Sequence, residues 1–419
     1  MKNTKVLRVF ETFAGIGAQH KGIKYNNKHD KDVNFKVVAT SDWDMRANIA
    51  YSAIHHNLDI NTLKSVLNKH KVNNLDDFLE GKTYSSNSKT PYRNLKRLDP
   101  EFKEILVAAN LLSNNHSDIN QVTGEIIDNL KIDLLTYSFP CQGLSVANMG
   151  RDKGIKNSES TSNLVWQIGR ILSESQHKPK YLLLENVKQL VHKYNDEYQE
   201  WKDYLDGLGY KTFTGIFNAF EHGSLQRRER VFAISVLKDT KVPFEENDIA
   251  YKEYVGAFGK KIPLESRGKQ YLNIFDVNNE NVEETTKVII NDTPSRVRMV
   301  NEGLDLSDLD KAAKRKFIIN TLTTKQDRLP NSGYIPLKND IRRKLDYRFI
   351  TPREAYKIMG FEDKDFDKLK PFIDKGYLNN ECLWRQAGNS IDVNVIKSIF
   401  KCILEIEKFD TKEENNGRD

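Results

Sequence analysis

A single cysteine stands where this chain could carry a nucleophile. Residues 133–138 form a short apolar run with aromatic and threonine side chains, which predicts a buried parallel strand. Pro140 ends the strand, because proline has no N–H to donate to a sheet. Cys141 therefore falls just past the carboxyl end of a central strand, where open α/β sheets keep their active sites. Its thiolate could act as a nucleophile, although an isolated cysteine is more often a buried structural residue.

A carboxylate and several arginines could assist such a nucleophile. Residues 180–187 predict another apolar strand, which ends with Glu185 on the same edge as the cysteine. Glu185 could instead cap the following helix. Predicted strands over residues 211–218 and 230–236 flank the sequence Gln226-Arg227-Arg228-Glu229-Arg230. The arginines form either a solvated hairpin tip or a site for phosphate or an anionic base edge.

The first two predicted strands end in residues that suit a nucleotide-like cofactor. The strand over residues 6–10 leads into Phe13-Ala14-Gly15-Ile16-Gly17, a glycine turn that lets a ligand approach the backbone at a helix start. The dinucleotide fingerprint would need a third glycine where His20 stands, which argues against a nicotinamide or flavin cofactor. The strand over residues 36–41 ends in Asp42-Trp43, where a carboxylate could bind a ribose diol, cap the next helix, or do both.

Composition indicates a folded cytosolic α/β enzyme or binding protein. The chain has 419 residues, of which 30% are charged and 10% aromatic. Its cysteines, at positions 141, 382 and 402, show neither paired nor metal-ligand spacing, so we expect a reducing, cytoplasmic setting and no metal. No stretch approaches the roughly 18 apolar residues of a membrane span. The net charge of +6 suits a polyanionic partner.

The pattern of elements changes along the chain and predicts several domains. Regular βα alternation covers residues 1–238, apart from a polar insertion at 57–117 that leads into a third strand closing at Asp118-Ile119. Residues 239–350 are irregular and form a smaller domain. The remaining parts are a connecting segment at 351–386 with an early helix, a βα-like return to the first domain at 387–410, and a disordered tail at 411–419.

The smaller domain ends in a basic stretch. Residues 311–348 contain 11 Lys/Arg against 3 Asp/Glu. This cluster is either a solvated face or a surface that contacts the phosphates and base edges of nucleic acid.

Taken in chain order, these motifs resemble the cytosine-C5 DNA methyltransferases, especially the bacterial enzymes of restriction–modification systems. Residues 13–17 look like the family's S-adenosylmethionine loop. Pro140-Cys141-Gln142 resembles its nucleophile motif, Glu185-Asn186-Val187 its acid motif, and Gln226-x-Arg228-x-Arg230 its arginine motif. The later blocks are matched by Thr321-Leu322-Thr323, by residues 348–361 and by Gly388-Asn389-Ser390-Ile391. The resemblance covers nearly the whole chain, and the order of the seven motifs makes it specific.

Two positions depart from the family pattern. Thr161-Ser162-Asn163-Leu164 stands where the family usually carries Arg-Ser-Gly-Leu. Asp42 stands where many relatives carry Glu, and it is chemically equivalent for binding a ribose diol.

The resemblance implies a fold, a cofactor and a set of site residues. The implied fold is α/β. It combines the Rossmann-like sheet of S-adenosylmethionine-dependent methyltransferases with a smaller, irregular target-recognition domain. The implied catalytic residues are Cys141, Glu185, Arg228, Arg230, Pro140, Gln142 and Asn186. The implied contacts to S-adenosylmethionine are Phe13, Ala14, Gly15, Ile16, Gly17, Asp42, Trp43, Asp118, Ile119, Pro140, Leu164, Asn389 and Ser390.

The chemistry implied by the resemblance is covalent catalysis on a base flipped out of duplex DNA. Cys141 adds to C6 of cytosine, a protonated Glu185 acts at N3, and Arg228 lies near O2. A carboxyl group leaving an apolar strand is expected to have a raised pKa. A mobile segment at 143–162 would close over the base. Sequence reading would fall to the smaller domain, with its arginines and Gln326 as base-edge readers.

The resemblance also bears on partners. It is nearest to enzymes of mollicutes and low-GC Gram-positive bacteria that modify CG or GATC sites, and we expect GATC, with CG as the alternative. The expected partner is double-stranded DNA, the expected state a monomer, and a cognate restriction endonuclease is compatible with the family.

Three other functions stay open at this point. An RNA cytosine methyltransferase shares the fold, but the long region before Thr321 favours DNA. A catalytically inactive DNA-binding relative is disfavoured by the intact Cys141, Glu185 and Arg228. A redox or hydrolytic cysteine enzyme would need a nearby histidine, and neither His177 nor His192 has an evident placement.

Overall fold

The structure is a computed structural model that describes residues 4–140, 155, 161–328 and 330–416. Contacts divide the chain into two compact units. The first comprises Met1–Phe217, Glu229–Phe258 and Ile396–Asp419, and the second comprises Asn218–Arg228 and Gly259–Val395.

A mixed six-stranded sheet forms the centre of the first unit. Its strands are β1 (Lys5–Thr12), β2 (Val33–Ser41), β3 (Leu134–Tyr137), β4 (Tyr181–Val187), β5 (Tyr210–Asn218) and β6 (Glu229–Leu237), in the order β2-β1-β3-β4-β6-β5. β1 pairs in parallel with β2 and β3, and β3 pairs in parallel with β4. β6 runs antiparallel to β4. The central strands are apolar and buried on both faces, as expected for parallel strands covered by helices.

Helices connect and cover these strands. They are α1 (Ala18–His29), α2 (Met45–His56), α3 (Leu63–Lys69), α4 (Leu75–Leu79), α5 (Pro100–Ser113), α6 (Gly124–Leu130), α7 (Val165–Glu174), α8 (Gln189–His192), α9 (Asn195–Gly207) and α10 (Asp248–Ala257). Trp201 of α9 is buried and donates its indole N–H to the Tyr137 hydroxyl at 3.3 Å, which ties α9 to the end of β3.

The second unit combines short helices with a small antiparallel sheet. Its helices are α11 (Leu264–Ile274), α12 (Val282–Thr285), α13 (Pro294–Glu302), α14 (Leu309–Lys314), α15 (Pro352–Ile358), α16 (Asp363–Asp367), α17 (Lys370–Asp374) and α18 (Asn380–Asn389). Its strands are β7 (Ile289–Asn291), β8 (Tyr334–Pro336) and β9 (Lys344–Phe349), in the order β7-β9-β8. The last helix, α19 (Val393–Asn416), packs in the first unit from Ile396 onward. Among the described residues no helix is both long and apolar enough to span a membrane.

The structure confirms the four predicted parallel strands and the helix after Thr351, which caps α15. It corrects three other predictions. Asp118 does not close a strand but caps a short 3-10 helix, Ile119–Gln121, and the expected third strand is reduced to one bridge between Thr40 and Asn115. Residues 387–391 have no strand, since α18 extends to Asn389. The predicted disordered tail is helical up to Asn416, and residues 417–419 lie outside the described residues.

The unit boundaries also differ from the predicted domains. Residues 239–258 group with the first unit, and residues 351–395 group with the second. Part of the predicted polar insertion belongs to the core, because Ile105, Leu106 and Val107 of α5 are fully buried. This helix packs against α2.

Candidate active site

The carboxyl ends of four strands lie side by side at one edge of the first sheet. Thr12 of β1 pairs with Ser41 of β2 and with Tyr137 of β3, and Tyr137 pairs with Leu184 of β4. The next residues along each strand are therefore neighbours across the sheet. They are Phe13, Asp42, Ser138 and Glu185. Strand register thus brings these four residues to one edge of the sheet. Phe13 begins the glycine turn, Ser138 leads into the nucleophile motif, and Asp42 and Glu185 are the two acids.

The glycine turn is held in a conformation that few residues adopt. Phe13, Gly15 and Gly17 have φ values of 54°, 54° and 76°. A positive φ at an aromatic residue is strained and is typical of functional sites. A Cβ at Gly15 would meet no atom within 4 Å, so this glycine faces open space. Ala14, which is buried, donates its N–H to the Ser41 carbonyl at 3.3 Å and fixes the turn to β2.

Asp42 joins the ends of β1 and β2. Its Oδ2 accepts the Gly15 N–H at 2.7 Å, and its Oδ1 accepts the Asp44 N–H at 2.8 Å. Burial, followed by repulsion from Asp44, raises the pKa of Asp42 to about 6. Asp44, and not Asp42, caps α2 by accepting the N–H groups of Arg46 and Ala47. The capping role considered for Asp42 therefore belongs to its neighbour, and the half-buried Asp42 retains acceptor capacity for a ligand.

Two asparagines that the sequence did not single out position Asp42. Asn115 is buried, and its amide group accepts the Asp42 N–H at 2.9 Å and donates to the Asp42 carbonyl at 3.0 Å. Asn48 donates to the same carbonyl at 2.8 Å. Asn115 lies in the segment expected to be a polar insertion, where no local pattern separates it from its neighbours.

The other predicted cofactor contacts of the first unit lie around this edge. The Ser41 hydroxyl donates to the Ser117 carbonyl at 2.8 Å, which places Asp118 and the buried Ile119 next to the end of β2. Trp43 and Leu164 are half-buried.

One residue inside the segment predicted to be mobile is anchored. Ile155 is buried, donates its N–H to Glu197, and accepts the Trp166 indole N–H at 3.2 Å. The predicted mobility of residues 143–162 stays a prediction, because apart from Ile155 and residues 161–162 this segment lies outside the described residues.

The nucleophile motif lies at the limit of the described chain. Pro140 is described, whereas Cys141 and Gln142 lie outside the described residues. Asn186 is buried and donates its side-chain N–H to the Phe139 carbonyl at 3.1 Å. This bond fixes the approach to the nucleophile motif against the acid-bearing strand. Asn186 is thus a positioning residue in this structure.

Glu185 has a cationic partner from the neighbouring strand. The Nε of Arg230 lies 3.4 Å from Oε1 of Glu185, and their side chains are 20% and 12% exposed. The antiparallel register of β4 and β6 explains the contact, because it pairs Val187 with Arg230 and Glu185 with Phe232. This ion pair places a positive charge beside the Glu185 carboxylate.

Arg228 occupies a different environment, in the second unit. It is buried and donates to the carbonyl oxygens of Leu322, Gly388 and Ser390 at 3.2, 3.0 and 2.9 Å. Through these three hydrogen bonds the Arg228 guanidinium connects the segment at Leu322 with the segment at 388–390. Arg228 therefore has structural partners within the second unit, and its contact with the cytosine ring stays a prediction. Arg230 is the arginine beside Glu185.

The last family motif is packed against the Thr321-Leu322-Thr323 motif. A Cβ at Gly388 would come within 2.6 Å of the Thr323 backbone, so only glycine allows this approach. Asn389 ends α18, and the buried Ser390 caps it. Both residues belong to the second unit, and their cofactor contacts stay predictions.

Two predicted base readers have structural partners instead. Gln326 is fully buried, donates to the carbonyl and hydroxyl oxygens of Thr323, and accepts the Ser332 hydroxyl at 2.8 Å. Arg348 is also fully buried and forms a two-pronged ion pair with Glu354, with both N–O distances at 2.9 Å. Neither side chain is available to a base edge, because each is buried and already hydrogen-bonded to residues of the second unit.

The fold and this edge define an S-adenosylmethionine-dependent methyltransferase. Comparison with known proteins gives the family: its sequence model, described as C-5 cytosine-specific DNA methylase, matches residues 93–405. The chain is 32% identical over 401 residues to the type II methyltransferase M2.ScrFI of Lactococcus lactis subsp. cremoris, a match that covers 94% of this chain and 98% of the relative. It is 42% identical over 246 residues to the orphan methyltransferase M.SssI of Spiroplasma monobiae, covering 56% of this chain and 61% of the relative.

Solved structures show the same fold. The Dnmt2 methyltransferase of S. pombe aligns with a TM-score of 0.61 at 18% identity, covering 96% of this chain and 99% of that one. The chain therefore belongs to the C-5 cytosine-specific DNA methylases and is a cytosine-C5 DNA methyltransferase.

The residues at the sheet edge fit S-adenosylmethionine. Gly15 leaves open space above a turn, and Asp42 presents a carboxylate with free lone pairs beside it. Among the described residues no group of three or more His, Cys, Asp or Glu side chains is arranged to hold a metal ion.

Proposed function

We propose that this enzyme methylates C5 of a cytosine flipped out of a short duplex site, through a covalent bond between Cys141 and C6. The observation that carries the proposal is the shared edge of β1, β2, β3 and β4, where the cofactor turn, Asp42, the approach to Cys141 and Glu185 lie side by side. The seven family motifs in order support the same reaction.

Residues of the first unit hold the cofactor in this proposal. Phe13 to Gly17 provide the backbone turn, Asp42 accepts hydrogen bonds from the ribose diol, and Asp118 lies at the adjoining end of β2. The bound cofactor supplies an electrophilic methyl group on a sulfonium. Asn115 keeps Asp42 in place through both backbone groups of that residue.

The side chains of the site then act on the cytosine ring. The Cys141 thiolate forms a C–S bond to C6, the electron pair of the C5–C6 double bond moves to C5, and Glu185 gives a proton to N3. Arg230 stabilises negative charge that develops on the ring, since its guanidinium lies beside Glu185. After C5 has taken the methyl group, N3 returns its proton to Glu185 and the C5 proton passes to water. The electron pair of the C5–H bond then restores the C5–C6 double bond while Cys141 leaves as the thiolate with the electron pair of the C–S bond.

The recognition site and the biological role belong to the same proposal. We propose GATC as the methylated site, with CG as the alternative, read by exposed side chains of the second unit. Protection of DNA from a cognate endonuclease would fit the type II relatives, whereas the Spiroplasma relative is named an orphan methyltransferase. We propose that the enzyme acts as a monomer in the cytoplasm.

Methyl transfer from labelled S-adenosylmethionine to unmethylated plasmid DNA and to bulk transfer RNA tests the function. We expect label in DNA, none in RNA, and no label with Cys141→Ser. Sequencing of the modified cytosines gives the site. Label in RNA alone would replace the proposal with an RNA methyltransferase, and label in neither substrate would favour an inactive DNA-binding relative.

A further inference from the structure

A histidine of α2, His55, is hydrogen-bonded to the backbone of the cofactor turn at residues 13–17. His55 is buried, and its Nε2 lies 3.0 Å from the carbonyl oxygen of Ile16, in the middle of the turn. Because a carbonyl only accepts hydrogen bonds, Nε2 must carry the proton. Within the described part of the chain, the buried Nδ1 has no hydrogen-bond partner. A second proton there would bury an unpaired donor and a charge, so the neutral ring fits the site.

The turn lies directly on this ring. A Cβ at Gly17 would come within 2.3 Å of Nε2 of His55 and within 2.7 Å of the Tyr51 ring. Gly17 also has a left-handed φ of 76°, which glycine adopts without strain. The position of the His55 ring therefore sets the position of the turn.

A second histidine holds the first in place. His20 stacks on His55 with ring centroids 4.5 Å apart and an angle of 6° between the planes. Nδ1 of His20 is hydrogen-bonded to the Tyr51 hydroxyl at 2.8 Å, and this hydroxyl lies 3.0 Å from Oε2 of Glu11. His20 occupies the place of the third glycine in a dinucleotide fingerprint, so the departure from that pattern has a structural reason.

The surroundings of the pair disfavour a positive charge. Burial, with smaller effects from Lys24 and neighbouring histidines, holds the pKa of His20 and of His55 well below the usual value. The ionisable groups that face the pair from β1, α1 and α2 are Glu11, Lys24, Tyr51 and His56.

We propose that His55 is a positioning residue for S-adenosylmethionine binding, which fixes the turn at residues 13–17 through its Nε2–H bond to Ile16 and does so only as a neutral ring. This inference rests on the proposed use of the turn as the cofactor site. It assigns the α2 histidine a role in cofactor affinity and none in the chemistry at the cytosine ring.

Three variants separate the donor from the ring. His55→Phe keeps an aromatic ring but has no donor, and we expect KM for S-adenosylmethionine to rise roughly three- to tenfold with kcat unchanged, as for one lost hydrogen bond. His55→Gln restores an N–H donor that does not titrate, so we expect KM near the wild-type value. His70→Phe, at an exposed histidine, is the matched control and should change neither constant.

The pH profile checks that the neutral ring is the working form. Because the pKa of His55 is held well below its usual value, the ring stays neutral between pH 6 and 7.5, so the rise in KM on acidification comes from Asp42 and should be the same for the wild type and for His55→Gln. A steeper rise in the wild type would show that His55 titrates in this range and would contradict the neutral ring. Direct binding of labelled cofactor by equilibrium dialysis, with thermal unfolding of each variant, checks that the effect is on affinity in a folded protein. Unchanged KM in His55→Phe, or failure of His55→Gln to restore it, would overturn the inference. Absence of methyl transfer by the wild type would instead count against the proposed function.

Discussion

Arg228 and Arg230 are two residues apart in one family motif, but their side chains have different partners and different burial in the structure. Arg228 is buried and donates to three backbone carbonyls, whereas Arg230 is partly exposed beside Glu185. We predict that Arg228→Ala lowers the stability of the fold and that Arg230→Ala lowers the rate of methyl transfer.

The size of the first effect follows from the lost partners. Truncation of Arg228 leaves the Leu322, Gly388 and Ser390 carbonyls without this donor in a buried region. An unsatisfied buried polar group costs about 1–3 kcal/mol, and the contributions are not additive. We therefore expect a loss of about 3–5 kcal/mol in the free energy of unfolding, because three buried carbonyls lose this donor together.

For Arg230→Ala the expected loss is kinetic. A side chain aimed at developing charge contributes on the order of 10²–10³ in kcat. Its ion pair with Glu185 is partly exposed and 3.4 Å long, and we expect its loss to cost about 1 kcal/mol of stability, less than the loss expected for Arg228→Ala.

Urea unfolding and methyl transfer measured on the same preparations separate the two arginines. Arg227→Ala is the matched control, because Arg227 immediately precedes Arg228 in the sequence and is exposed. It should change neither quantity. If Arg228→Ala unfolded like the wild type but transferred no methyl groups, Arg228 would contact the reacting ring and our assignment would be wrong.

Two further predictions concern carboxyl groups of the first unit. Burial raises the pKa of Glu11 to about 8, so the folded protein keeps a proton that the unfolded chain releases above its ordinary value of 4.5. The stability from this group is complete below pH 4.5 and is lost as pH rises towards 8, by up to about 1.4 kcal/mol per pH unit. Glu11→Gln should remove this slope in urea unfolding at pH 5, 6.5 and 8, and an unchanged slope would place its origin elsewhere. Asp42→Asn should weaken cofactor binding about tenfold at pH 7.5 in equilibrium dialysis, and less below pH 6, where Asp42 itself is protonated; equal effects at both pH values would show that its charge is not used.

Local patterns were sufficient for the sheet and for the order of the motifs. Four apolar runs, each ending in a glycine turn, a proline or an acid, predict parallel strands whose carboxyl ends share an edge, because side-chain burial and proline geometry act within a few residues. The register then follows from parallel pairing. This is why Phe13, Asp42 and Glu185 could be assigned to one edge from the chain alone.

Only the tertiary structure decided which polar residues of the motifs are buried. Arg228 has acceptors at Gly388 and Ser390, about 160 residues further along the chain. Gln326 is buried and accepts a hydrogen bond from the Ser332 hydroxyl. Asn115 reaches the Asp42 backbone, and His55 reaches Ile16, from segments with no distinguishing local pattern. Partners and burial depend on contacts between distant segments, and the spacing of residues along a strand or helix carries no information about those contacts.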